Sequence, residues 1–158
     1  MKRFISERGQ SLVELGVSLL ILLYLLSGAA EFGVLFFQFV QLRDAAQEGA
    51  LYGSMNPSNT AEITNRIKFS SGSPIKLDSA IDSGDVTVSI SIDGISSTDA
   101  TNYATVDCEG HGLQVTVSYK HKIFMPFMAQ LLGRTADPTI PLSAEVTDTI
   151  LTPVTCIP

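Results

Sequence analysis

Three pairs of side chains in this sequence could carry chemistry: the carboxylates Glu14 and Glu31, the imidazoles His111 and His121, and the thiols Cys108 and Cys156. Glu14 and Glu31 are the only charged residues between Leu12 and Leu42. A carboxylate within so apolar a run is costly, so each calls for a partner or a function. His111 and Cys108 lie together in "DCEGH" (Asp107 to His111), but a zinc framework needs three or four ligands at repeated spacings. These read as ordinary loop residues, and no metal or cofactor is expected. No G-x-S-x-G, H-E-x-x-H or phosphate-binding glycine loop occurs. The serines of "SSGSPIKLDSAIDSG" are loop composition rather than nucleophiles. An enzyme is therefore not expected.

The elements that position these groups follow from composition. The chain has 158 residues, is 45% hydrophobic and carries a net charge of −6. That suffices for one modest domain and one membrane-length segment. An acidic body without a basic cluster excludes nucleic acid as a partner. The stretch Leu15 to Ala30, "LGVSLLILLYLLSGAA", has no charge, and Leu12 to Leu42 as a helix would run roughly 46 Å, longer than a bilayer core of about 30 Å requires. Something besides lipid must bury the excess. Lys2, Arg3 and Arg8 precede the run, which places the N-terminus in the cytoplasm and residues from about 45 onward outside. An ordinary cleaved secretory signal fits poorly, because apolar character resumes as "EFGVLFFQFV" directly after "SGAA".

Residues 10 to 53 lack proline and read as one long helix, with flex points at Gly16, Ser27-Gly28 and Gly33 and an end at Asn56-Pro57. Apolar residues lie on all sides up to Val40, and the pattern becomes amphipathic after Arg43. Ala46, Gly49, Ala50 and Gly53 share one face and admit a close neighbour. Ala29 and Gly33 form a small-xxx-small pair within the apolar part, a device for helix contact in lipid.

Beyond the helix, Thr60 to Phe69 predicts a short capped helix within an otherwise loop-like 57–83. Val86, Val88, Ile90 and Ile92 alternate with polar residues, as do Leu113, Val115, Val117 and Tyr119, and then Ile140, Leu142, Ala144 and Val146. These are three half-buried strands, with a turn at Asp93-Gly94, a polar loop from Ser96 to Asp107, and a short apolar helix or turn within Ile123 to Gly133. The expected fold class is α+β: a long hydrophobic helix packed against a small antiparallel sheet, which needs a helix to cover its apolar face. Antiparallel pairing of the second and third strands would bring Cys108 and Cys156 to one end of the sheet. A disulfide there is reasonable in an oxidising compartment, and closing that loop would contribute on the order of 4 kcal/mol at most.

The residues before Glu14 suggest its partner. Gly9, then Gln10, Ser11, Leu12, Val13 and Glu14, after a short basic leader and before a long apolar helix, resemble the type III signal of type IV pilins. More closely, "RGQSLVELGVSLLILLYLLSGAAEFGVLFF" with "RDAAQEGALYG" resembles the TadE-like family of tight-adherence (Tad/Flp) pilus proteins. "VTVSYKHKIFMPFMAQLLG" and "IPLSAEVT" are also similar to that family's C-terminal half. The resemblance implies a prepilin peptidase cut after Gly9, a mature chain beginning at Gln10, and a helix that enters a fibre core.

It further implies that Glu14 neutralises the new amine of Gln10 on a neighbouring subunit, a buried pair being tolerable where either charge alone is not. Implied partners are other pilin subunits, the peptidase, the inner-membrane assembly platform, and the bilayer before assembly. The implied organisation is a cytoplasmic leader (1–9), a helix with its membrane segment (10–54) and an extracytoplasmic domain (55–158). Leu15 stands where the major Flp pilins usually have tyrosine, and the outer domain is larger than theirs. A minor pilin or pseudopilin is therefore expected rather than the main fibre subunit. The alternative is an uncleaved, bitopic, membrane-anchored binding domain with Glu14 as an interfacial charge.

Overall fold

The computed structural model describes residues 7–70, 75–125, 128–134 and 136–151. Helix formers without an internal proline give one helix, α1, over Glu7–Met55. Its 49 residues extend roughly 73 Å. Asn56 N–H closes the last turn on Tyr52 O at 3.0 Å, and Pro57 cannot continue it. The helix has two unlike parts. Every large apolar side chain from Leu12 to Leu26 is exposed, whereas Leu42, Ala45, Ala46 and Ala50 are fully buried.

Asn59 caps α2 (Thr60–Phe69), its side chain accepting from Glu62 N–H, and Ile63 and Ile67, one turn apart, are its buried residues. Here α1 and α2 approach closely. A Cβ on Gly49 would lie 2.6 Å from Ile67 Cγ1, and one on Gly53 would collide with Leu113 and Ile63. A further helix, α3 (Leu77–Ser83), ends at Gly84, whose positive φ of 82° suits a residue without Cβ. The stretch 57–83 thus contains two helices where the sequence predicts one. Leu77, Ala80 and Ile81 give α3 an inward face too short to rise above its Ser/Asp composition.

The sheet is antiparallel with order β2-β1-β3-β4: β1 Val86–Ile92, β2 Ile95–Ser96, β3 Gly112–Lys122 and β4 Thr139–Thr149. Asp93 and Gly94, both at positive φ, make the tight turn that pairs Ile92 with Ile95. The sequence predicts three strands; the fourth, β2, is two residues long and lacks the length for alternation to register. The stretch read as a loop before β3 also holds one turn of helix, α4 (Ala100–Tyr103). Tyr103 is buried and donates to Pro57 O at 2.9 Å, fastening α4 to the end of α1, and burial pushes its phenol up to about 12.

Val88 pairs with Val117 and Val117 with Ala144, so the three long strands lie in register. Val86, Ile90 and Ile92 of β1, Leu113, Val115 and Val117 of β3 and Ala144 of β4 turn inward. They share one core with the C-terminal part of α1 and with α2. Pro141 is tolerated in β4 because that strand is an edge. Between β3 and β4 the chain forms one further helical turn, α5 (Met128–Leu131). The architecture is α+β, a long N-terminal apolar helix packed by its C-terminal part on a small antiparallel sheet.

Candidate functional site

The alternation of β3 carries past Tyr119 and places His121 on the inward face, opposite Ile140 of β4. There it meets Glu31 of α1. His121 Nε2 and Glu31 Oε1 are 2.8 Å apart, and both side chains are only 5% exposed. The backbone N–H groups of Phe124 and Met125 also donate to the carboxylate, at 3.1 and 3.2 Å. Glu31 therefore receives three hydrogen bonds, one from His121 of β3 and two from the turn after it, and this satisfies a charge that would otherwise be buried alone. His121 Nδ1 is buried without a hydrogen-bond partner. That suits an imidazole bearing its single proton on Nε2, because a second N–H would be buried with no acceptor. The arrangement binds the apolar helix to the sheet.

The sequence reading left Glu31 without a partner and gave His121 no role; the structure joins the two. The signal was present in the register. In the series Leu113, Val115, Val117, Tyr119, His121, the last residue must face the core, and a buried imidazole needs a polar partner.

Glu14 is in a different situation. It is exposed on the bare part of α1, one turn from Gln10 on the same face, and no partner meets it among the described residues. Gly9 and Gln10 are likewise exposed, and a Cβ on Gly9 would meet nothing within 4 Å. The two small-residue sets also divide. Ala46, Gly49, Ala50 and Gly53 are buried, the two glycines against Ile63, Ile67 and Leu113. Ala29 and Gly33 are exposed, and a Cβ on Gly33 would touch nothing within 4 Å.

Cys108 is buried. Its expected partner, Cys156, lies outside the described residues. His111 pairs with Asp93, Nδ1 to Oδ2 at 2.5 Å, and Asp93 Oδ1 accepts from Gly112 N–H at 3.0 Å. The hydrogen bond from His111, with that from Gly112, holds the Asp93 carboxyl below the usual aspartate range. Among the described residues no group of three or more His, Cys, Asp or Glu side chains is placed to hold a metal ion.

A helix long and apolar enough to cross a membrane, carrying an antiparallel α+β head on its far end, defines a class of helix-anchored proteins. Within that class, residues 9–51 match the family described as TadE-like protein. The matched segment begins at Gly9 and takes in Glu14, Glu31 and the Ala29/Gly33 pair. No curated protein and no solved structure matches the chain.

Proposed function

We propose that this protein is a non-enzymatic structural or assembly subunit, a minor pilin or pseudopilin, of a Tad-type pilus. In this reading a prepilin peptidase cuts after Gly9. The helix then waits in the inner membrane with its N-terminus cytoplasmic and the head outside, until the assembly platform extracts it. Glu14 meets the Gln10 amine of a neighbouring subunit, and Ala29 and Gly33 let helices approach within the fibre. Cys108 and Cys156 close the head with a disulfide.

The observation that carries the reading is Glu14, met by none of the described residues, in an exposed apolar wall inside the segment that matches the TadE-like family. An apolar wall can be covered by lipid, but a carboxylate within it is stabilised by a charge of opposite sign, which a second subunit would bring.

Intact mass and N-terminal sequence of the membrane-extracted protein test the first step, with a chain starting at Gln10 expected. Gly9→Ala is expected to retain the leader. Glu14→Ala is expected to be cut normally yet to be missing from sheared pili. A chain starting at Met1, with normal pili from both variants, would replace this reading with an uncleaved bitopic anchor.

A further inference from the structure

No charged residue lies between Lys122 and Arg134, and the described residues of the connection from β3 to β4 present large apolar side chains to the outside. Phe124 is 83% exposed, Leu131 74% and Leu132 50%. On a water-facing loop so dense an apolar cluster is unfavourable, and it marks a contact surface. Its position is fixed, because the N–H groups of Phe124 and Met125 are held by Glu31. From that anchorage α5 lies back along α1 on the N-terminal side of Glu31. Met128 and Leu131 of α5 face Leu20, Tyr24 and Gly28 of α1 across an open apolar cleft of about 510 Å³. Those helix residues lie roughly 5 to 17 Å below Glu31 along the axis. The cleft is therefore continuous with the exposed apolar wall of α1 that begins at Leu12.

Charge distinguishes lipid from a second apolar helix as the occupant. Exposed Lys120 and Lys122 stand where the connection leaves β3, and exposed Arg134 stands where it returns, so the rim holds three bases against the single acid Asp137. An apolar wedge rimmed by bases is the pattern of an interfacial element facing anionic headgroups, the long basic side chains reaching the headgroups while apolar ones enter the acyl region. A neighbouring apolar helix would leave those three bases without a counterpart.

We propose that the β3–β4 connection is a second membrane contact. Phe124, Met128, Leu131 and Leu132 enter the leaflet on the head's side of the bilayer, beside α1, and acyl chains fill the cleft. The inference rests on α1 spanning the membrane, as in the proposed function, and goes beyond it in giving the head its own lipid footing. Extraction into a fibre would then require withdrawal of this wedge as well as the helix.

The chain contains no tryptophan, so single tryptophans report on it without background. Full-length Phe124→Trp, Leu22→Trp and Phe69→Trp proteins would be placed in phosphatidylethanolamine/phosphatidylglycerol vesicles with and without brominated acyl chains. Phe69, on α2, is 75% exposed and serves as the water-facing reference. Phe124→Trp is expected to emit at shorter wavelength than Phe69→Trp, to resist iodide several-fold better, and to be quenched by the brominated chains. Quenching at Leu22→Trp with full iodide access at Phe124→Trp would overturn the proposal and leave the span intact. Absence of bromine quenching at both positions would remove the span and the proposal together. Iodide protection at Phe124→Trp without bromine quenching would place another protein, such as a second copy, over the cleft and also overturn it.

Discussion

Glu14 and Glu31 share one apolar helix and have opposite surroundings. Glu31 is 4% exposed and accepts three hydrogen bonds, one from His121 of β3 and two from the turn after it. Glu14 is exposed in a wall of Leu and Val, and none of the described residues reaches it. The first charge is closed within the chain and so serves folding. The second is left open by the described residues, which is the property an assembly contact needs. The small residues repeat the division, Gly49 and Gly53 against the chain's own core and Gly33 against none of the described residues.

The largest expected effect comes from removing the closed charge. Glu31→Ala strands His121 Nε2 and two backbone N–H groups in a site where the side chains are 5% exposed. Docking of the head on the helix is expected to weaken by about 3–5 kcal/mol. Faster hydrogen exchange at Phe124 and Met125, together with a lower Tm of the full chain, would register it, while Glu31→Gln, which keeps an acceptor, falls between. If exchange at those amides is unchanged, Glu31 is not what holds the head, and the contrast with Glu14 disappears.

The glycines come next. Gly53→Leu forces a side chain into Leu113 and Ile63 and is expected to cost about 1–3 kcal/mol in thermal unfolding, since overpacking displaces neighbours already in contact. Gly33→Leu meets none of the described residues, and its stability is expected to hold or to rise by up to about 1 kcal/mol from helix propensity. Loss of pili from Gly33→Leu despite that stability would assign the site to contacts between subunits. Glu14→Ala sharpens the same point with a smaller effect, a change within about 0.5 kcal/mol in the isolated chain beside a complete loss of assembly.

Much of this division was legible before any coordinates. Composition alone separates the all-round apolar part of α1 from the amphipathic part, because lipid exposure and one-sided packing leave different periodicities. Strand alternation identified β1, β3 and β4 and their inward faces, since each is long enough to repeat. What did not register were elements too short to have a period: β2 with two residues, α4 with four, and α3 with seven. The Glu31–His121 contact was hidden for a different reason. It joins residues 90 positions apart, and two of its three hydrogen bonds come from backbone N–H groups, which carry no residue identity. Sequence marks an isolated charge well, but the donors that satisfy it emerge only once β3 is laid against α1.

Asp93 with His111 supplies the surface counterpart of Glu31 with His121, and the smallest expected effect. The same two functional groups meet, again with a backbone N–H donating to the carboxylate, but the side chains are 50% and 33% exposed. Solvent screening limits such a pair to about 0–1 kcal/mol. The hydrogen bonds from His111 and Gly112 lower the folded-state pKa of Asp93, so its contribution is present above the unfolded value of about 3.9 and is lost as pH falls through the lower folded value. Asp93→Asn keeps a residue that tolerates the positive φ of 49° and removes the charge. Denaturant midpoints of the two proteins are therefore expected to differ slightly near neutrality and to converge on acidification below about pH 3. A gap that persists unchanged in acid would mean that Asp93 acts through the shape of the turn rather than through its charge. The carboxylate–imidazole pair would then matter only where it is buried, at the joint between helix and head.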